Sequence, residues 1–421
     1  MQNSTYYTVP YIQNLPSDWR IKRLKYMVDI TTGSRDTVDA DDDGEYPFFI
    51  RSPRVLRINS YEHDGEAVLL PGEGDIGKIF HYVADGKFDF HQRVYCLYNF
   101  RDIYGKYLWY YMQATFINEV EKGTNKTTVE SLRLPMLQNF LIFVPPENEQ
   151  RSIVNVLDKI CNEIDISISE TEKKIDTLAA YREALITEVV TGGLFAEDTK
   201  TQIEWMGATP SHWKIKKLRY LGNLQNGISK DASYFGSGFP FVSYGDVYNN
   251  VSLPQDVDGL VESSSTDRRI FSVKRGDVFF TRTSETIEEI GFSSTCLKDI
   301  QDATFAGFLI RFRPTDDSLI PEFSKYYFRN SRLRKYFVKE MMIVTRASLG
   351  QNLLKNLPVL IPPKEEQQAI ASYLDEKLNG INECIATEER YLSLLHSYRQ
   401  SVVYEYVTGK KRVKEVTSHA N

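Results

Sequence analysis

Between Pro145 and Gly192, apolar residues return at steps of three, four or seven, through Ile153, Leu157, Ile160, Ile164, Ile168, Ile175, Leu178, Leu185 and Val189. Charged residues fill the positions between, so the stripe has the width of a coiled-coil seam rather than that of a core-facing helix. The pattern returns 217 residues later, from Pro362 to Gly409, through Ile370, Leu374, Leu378, Ile381, Ile385, Leu392, Leu395, Val402 and Tyr406. The copies also share a Pro pair, Glu149-Gln150 with Glu366-Gln367, Leu157-Asp158 with Leu374-Asp375, Tyr181-Arg182 with Tyr398-Arg399, and a closing Val-Thr-Gly. The prolines start each helix and the glycine stops it. A lone amphipathic helix of roughly 40 residues, about 60 Å long, would leave its stripe wet. The two are therefore expected to pack on each other, through Ile153, Leu157, Ile164, Leu178 and Leu185 of the first and Ile370, Leu374, Ile381, Leu395 and Val402 of the second.

A second repeat precedes each helix. Pro16-Ser17-Asp18-Trp19-Arg20-Ile21-Lys22-Arg23-Leu24-Lys25-Tyr26 returns as Pro210-Ser211-His212-Trp213-Lys214-Ile215-Lys216-Lys217-Leu218-Arg219-Tyr220. Between opening segment and helix the copies diverge. There, short apolar runs alternate with turn residues, as at Phe48–Ile50, Ala67–Leu70, Val94–Leu97 and Leu141–Val144, then Phe241–Ser243, Val278–Phe280, Phe308–Ile310 and Val359–Ile361. Helical patterns cover Leu108–Val120 and Pro321–Met341. Each unit is predicted to be an α+β domain with a mainly antiparallel sheet.

Composition narrows the function classes. Fifty-one Lys and Arg against 57 Asp and Glu give a net charge of −6, so any hold on nucleic acid must come from local basic patches or from partners. No apolar run reaches the length of a membrane span and the N-terminus is too polar for a signal peptide, which makes a cytoplasmic protein the expectation. Cys96, Cys161, Cys296 and Cys384 never form a Cys-x-x-Cys pair and read as reduced thiols.

Candidate catalytic motifs fail on inspection. Gly72-Glu73-Gly74-Asp75-Ile76-Gly77-Lys78 begins a P-loop, but Ile79 stands where the magnesium-binding hydroxyl belongs. Tyr234-Phe235-Gly236-Ser237-Gly238 resembles an adenosylmethionine turn without the motif that would position a target adenine. Asp375-Glu376-Lys377 lies on a helix face and has no upstream Pro-Asp. The six histidines lack ligand spacing. No catalytic and no metal site is expected. What remains are polar loops at comparable places in the two domains, carrying side chains of the kind that contact base edges and phosphates. They contribute Arg51, Arg54, Lys78, Gln92, Arg93, Lys122 and Lys126 in the first domain, and Ser243, Tyr244, Arg282, Thr283, Ser284 and Arg346 in the second.

The duplicated Pro-Pro-x-x-Glu-Gln helix, the ending Ile186-Thr187-Glu188-Val189-Val190-Thr191-Gly192, the Pro-Ser-x-Trp openings and the turns at Gly74-Asp75 and Gly276-Asp277 resemble the specificity subunit of type I restriction-modification enzymes. The resemblance covers nearly the whole chain. It implies target recognition domains at 1–144 and 207–361, long helices at 145–192 and 362–409 packed as an antiparallel coiled coil that separates the domains, a linker at 193–206 and a basic tail at 410–421. Each domain would read one half of a bipartite, asymmetric sequence in double-stranded DNA, and the helices would set the spacer; two turns of B-DNA span roughly 70 Å. Two methyltransferase (modification) subunits and motor-endonuclease (restriction) subunits would be the partners, carrying S-adenosylmethionine, ATP and Mg, with no cofactor and no catalysis in this chain. The alternative is a structural adaptor whose coiled coil clamps protein partners without DNA sequence preference.

Overall fold

The structure, a computed structural model, describes residues 15–122, 131–194, 200–203, 205–282, 290–340 and 349–413, without the side chains of 118–122, 200 and 338. It divides into two compact units, one of residues 1–172 with 390–421 and the other of residues 173–389.

The first unit opens with β1 (Arg20–Arg23), β2 (Asp29–Thr32), β3 (Tyr46–Phe49), β4 (Val55–Ile58), β5 (His63–Asp64), β6 (Ala67–Pro71), β7 (His81–Val83), β8 (Lys87–Phe90) and β9 (Val94–Tyr98). There follow α1 (Gly105–Lys122), α2 (Leu134–Gln138), β10 (Leu141–Val144) and the start of α3 (Glu147–Gly192). One sheet is antiparallel in the order β2-β9-β6-β7; another, β4-β3-β8-β5, contains a parallel pair in which Phe48 faces Asp89 and Phe49 faces Phe90. β1 pairs with β10. Tyr107, Leu108, Met112 and Phe116 of α1 fill the core against Val68, Leu70 and Leu97, joined by Ile153 and Leu157 of α3 and by Val402, Val403, Tyr406 and Val407 from far along the chain.

The second unit repeats this plan. It contains β11 (Lys200–Ile203), β12 (Gly207–Pro210), β13 (Lys214–Lys217), β14 (Gly222–Asn226), β15 (Phe235–Val242), α4 (Tyr244–Asn249), β16 (Leu260–Val261), α5 (Ser265–Ile270), β17 (Val278–Thr281), β18 (Ser293–Thr295), β19 (Thr304–Phe305) and β20 (Leu309–Pro314). After these come α6 (Pro321–Tyr327), α7 (Ser331–Glu340), α8 (Gln351–Asn356), β21 (Pro358–Ile361) and α9 (Lys364–Val407). β14-β20-β17-β18 is antiparallel, and β15 and β19 form the parallel pair, Phe241 facing Thr304 and Val242 facing Phe305. The helical pattern over Pro321–Met341 is two helices. The Asn330 side-chain oxygen accepts from the N–H groups of Arg332 (3.0 Å) and Leu333 (3.1 Å), a cap that starts a new helix. The segment expected to be a plain linker contributes β11, which pairs with β12 in a hairpin.

The helices pair in opposite directions within each unit. Arg399 of α9 reaches Asp165 of α3 at 2.8 Å in the first; in the second, Lys174 meets Glu388 at 2.5 Å and Arg182 meets Asn382 at 3.2 Å. Ile153, Leu157, Ile164, Leu185, Ile370, Leu374, Leu395 and Val402 are buried, Leu178 and Ile381 half-buried. The stripe does two jobs. Ile153, Leu157 and Val402 join the core of the first domain, and Leu185, Ile370 and Leu374 that of the second; only the stretch between is a narrow helix–helix seam.

The repeated letters of the helices form a joint to the domains. The Trp19 ring nitrogen donates to Glu149 at 3.0 Å, and that of Trp213 to Glu366 at 2.9 Å. Gln150 accepts from the Tyr104 N–H (2.7 Å) and donates to the Pro145 carbonyl (3.0 Å); Gln367 does the same with Ile320 (2.9 Å) and Pro362 (2.9 Å). Asp158 receives Lys106 and Tyr110 at 2.7 and 2.9 Å, and Asp375 receives Lys325 and Tyr326 at 2.6 and 2.5 Å. Asp375 is thus committed to packing, not to a nuclease site. Past the helix ends, Gly193 and Gly409 adopt φ of 72° and 74°, the left-handed stop that glycine tolerates best. The basic tail begins tied down, since Arg412 holds Asp18 (2.9 Å) and Glu149 (2.6 Å). Burial pushes the thiols of Cys96 and Cys296 up to about 12, which keeps them unreactive. Among the described residues no helix is long and apolar enough to cross a membrane, and no cluster of His, Cys, Asp or Glu is arranged to hold a metal.

Candidate nucleic-acid interface

Each parallel strand pair ends in a turn that places its residues at the rim of the domain. In the first domain the turn from β8 to β9 carries His91, Gln92 and Arg93; the His91 N–H donates to the Phe49 carbonyl at 2.9 Å, and the Gly72 N–H to that of Arg93 at 2.8 Å. In the second domain the Ala306 N–H donates to Val242 at 3.0 Å and the Arg282 N–H to Phe308 at 3.0 Å. Beyond each, Leu132 donates to Gly72 (2.7 Å) and Leu349 to Arg282 (2.7 Å). The two rims share these three backbone bonds and the short turn that Val94 and Leu309 close onto His91 and Ala306.

The side chains they carry differ. Arg93 stands where the second domain has Phe308, Gln92 where it has Gly307, Gly72 where it has Arg282, and Arg51, two residues past the parallel pair, where it has Tyr244.

In the first domain three of the expected residues come together. Arg51 lies 3.6 Å from Glu73, Arg93 bonds the same carboxylate, and the Gln92 amide donates to Asp36 at 2.7 Å. Both guanidiniums are exposed, and exposed ion pairs are weak, so Glu73 aims the arginines while leaving them exchangeable onto a phosphate or a guanine edge. Arg35 and Asp36 complete the cluster and were missed from sequence: Arg35 lies 3.8 Å from buried Asp89, and Asp36 lies 3.7 Å from the His91 ring. Burial, aided by Arg51 and Arg93, lowers the His91 pKa despite Asp36, favouring the neutral ring whose Nδ1 accepts from the Arg93 N–H at 3.0 Å.

Arg54 is exposed in the turn after β3, its N–H on Ser52 at 3.1 Å. Lys78 sits in the glycine turn, paired with Asp75 at 3.1 Å. That turn lies between β6 and β7, with Gly74 and Gly77 at positive φ. Lys122 ends α1, its side chain outside the described residues, as is all of Lys126.

In the second domain Ser243 caps α4, its hydroxyl bonded to Asp246 at 2.7 Å, and Tyr244 stacks on Tyr248. Arg282 is half-buried beside the turn; Thr283, Ser284 and Arg346 lie outside the described residues. Phe308, expected in a strand, instead tops the turn, 65% exposed.

Two copies of one α+β scaffold, joined to long helices and carrying different exposed side chains at their turns, define a duplicated protein. The model of the type I restriction modification DNA specificity domain matches residues 16–177 and 210–390, and the chain belongs to that family. It is 30% identical over 183 residues to the type I restriction enzyme EcoDI specificity subunit of Escherichia coli, which is 44% of this chain and 40% of that protein. With the EcoKI specificity subunit of Escherichia coli K12 the identity is 24% over 303 residues, 70% of this chain and 62% of the relative. The matches thus span less than two thirds of these two relatives. The MjaVIII specificity subunit of Methanocaldococcus jannaschii is 22% identical over 429 residues, covering 96% of this chain and 95% of its own. A chain solved in work on complex assembly and conformational transition of the type I R-M system has the same fold, with a TM-score of 0.69 at 17% identity, over 94% of this chain and 100% of that one.

Proposed function

We propose that this chain is the sequence-reading subunit of a type I restriction-modification complex, each domain recognising one half of a bipartite, asymmetric DNA target. The observation that carries the reading is the pair of matched turns: one scaffold, used twice, presents Gln92 and Arg93 in one domain and Gly307 and Phe308 in the other. Unlike half-sites require such a difference. Arginine and glutamine suit guanine and adenine edges, whereas an exposed phenylalanine suits a thymine methyl. The helices, each of which runs through both units, set the number of unread base pairs between half-sites. The chain itself is non-catalytic and works in the cytoplasm. Modification subunits supply S-adenosylmethionine chemistry on a flipped adenine, and restriction subunits supply ATP- and Mg-dependent translocation and cleavage.

The test is long-read mapping of adenine methylation in cells that carry the chain with and without its methyltransferase. A split motif that needs both supports the reading. Arg93→Ala should then relax one half of the motif and Phe308→Ala the other, each by about 1–3 kcal/mol of discrimination. If the two subunits associate and no motif appears, sequence reading is wrong for this chain.

A further inference from the structure

The cations of the first rim are largely covered by the domain's own acids. Arg51 and Arg93 share Glu73, Arg35 lies 3.8 Å from buried Asp89, and Lys78 lies 3.1 Å from Asp75. Arg54, among the described residues, has no carboxylate partner. Glu73 is itself held in place. Its backbone bridges that of Ser131, and the preceding Gly72 is tied through its N–H to the Arg93 carbonyl at 2.8 Å and through its carbonyl to the Leu132 N–H at 2.7 Å. The Glu73 side chain is 38% exposed, against 42% for Arg51 and 53% for Arg93, so all three reach solvent together. A surface built only to grip the DNA backbone would leave such cations bare.

The two acceptors that DNA offers an arginine respond differently to this carboxylate. A phosphate is an anion, and seating it on Arg51 or Arg93 brings a second negative charge against Glu73. The O6 and N7 atoms of guanine carry no net charge. A guanidinium has five N–H donors, so Arg93 can keep Glu73 on its Nη1 and turn the remaining donors to the base. We infer that Glu73 is a specificity-determining residue: it sets the arginine pair against phosphate and in favour of a guanine edge, so that the first domain holds non-target DNA weakly. The inference rests on the DNA reading proposed above and deepens it, since it assigns discrimination to a residue that lends nothing to backbone affinity. The net charge of −6 acts in the same direction over the whole chain.

The experiment titrates the full chain, bound to its methyltransferase subunit, onto two duplexes at several salt concentrations. One carries the motif that methylation mapping identifies; the other is an alternating A·T duplex of the same length, which offers phosphates and no guanine. Glu73→Gln should bind the A·T duplex about tenfold more tightly at 0.1 M salt, the worth of one further phosphate contact, with a plot of log K against log salt steeper by about one. The motif duplex should gain little, so that the ratio between the two falls. The gain should vanish in an Arg51→Ala/Arg93→Ala background, and the half of the motif that Arg93→Ala relaxes should contain a guanine. Glu73→Ala should repeat the result, and unchanged melting of either variant separates the charge effect from folding. Unchanged affinity and slope on the A·T duplex, an equal gain on both duplexes, or a relaxed half without guanine would overturn the role of Glu73 while leaving the proposed function intact. A gain that persists without the two arginines would overturn it in favour of bulk charge. A wild-type complex that yields no motif, or that prefers neither duplex, would overturn the proposed function, and the role of Glu73 with it.

Discussion

Replacing Gln367 by leucine tests whether the Glu-Gln pair that opens each helix is a structural joint. Gln367 is fully buried at the start of α9, accepting from Ile320 N–H (2.9 Å) and donating to the carbonyls of Ser318 (2.7 Å) and Pro362 (2.9 Å). Leucine has similar bulk and makes none of these bonds. At about 1 kcal/mol net per bond, the loss comes to about 3 kcal/mol. For a unit of this size that lowers the melting temperature by roughly 6–12 °C. The adjacent Gln368 is exposed, and Gln368→Leu should stay within about 0.5 kcal/mol of wild type. Scanning calorimetry of the three full-length proteins reads both numbers. A Gln367→Leu chain that melts with the Gln368→Leu chain would refute the joint. Gln150→Leu repeats the test in the first unit, where the bonds to Tyr104 and Pro145 are as short and the one to Asp102, at 3.3 Å, is longer.

The glycines past the helices should respond unequally to alanine. At Gly193 a Cβ meets only Pro210 and Trp213, at 3.4 Å, so the left-handed backbone alone costs about 1–2 kcal/mol; at Gly409 it would stand 2.6 Å from Pro16 Cδ, so Gly409→Ala should be clearly the more destabilising in urea melts. His81, whose Nε2 donates to the Ser52 carbonyl at 3.1 Å beside the arginine turn, has its pKa lowered from 6.5, burial outweighing that bond. The neutral ring therefore contributes stability above pH 6.5 that is lost as pH falls through the lower folded value; NMR titration should find that midpoint below 6.5, and His81→Gln should flatten the stability loss between about pH 7 and 5.

The helices were legible because their period, starts and stops are local properties. The joint was not. Trp19 and Glu149 both stood out as repeated letters, but they are 130 residues apart, and no local pattern says that one bonds the other. The division at Asn330 was hidden because Leu333 and Phe337 continue the apolar rhythm past the cap. At the rims, Arg51, Gln92 and Arg93 were found because turns with such side chains announce themselves. Phe308 reads as the start of a strand because Phe-Leu-Ile is apolar throughout, whereas the ladder begins pairing only at Leu309. Arg282 drew attention as the basic residue of its loop, yet the hydrogen bonds set it opposite Gly72 rather than Arg93. Register decides those correspondences, and register is not written in composition.

Val402, Val403, Tyr406 and Val407 fill the core beneath the first domain, and Gly409 abuts Trp19 and Pro16. This fixes an order of events during synthesis. The second unit is one uninterrupted run, from Lys173 to Glu389, and has all its parts once that run has left the ribosome. The first unit, although begun earlier, waits for the final turns of α9 to close over Leu157 and Cys161. The domain made first is therefore completed last, and a ribosome that stalls before Val402 releases a chain whose second rim is finished while its first domain still shows an open core to the proteases and chaperones of the cell.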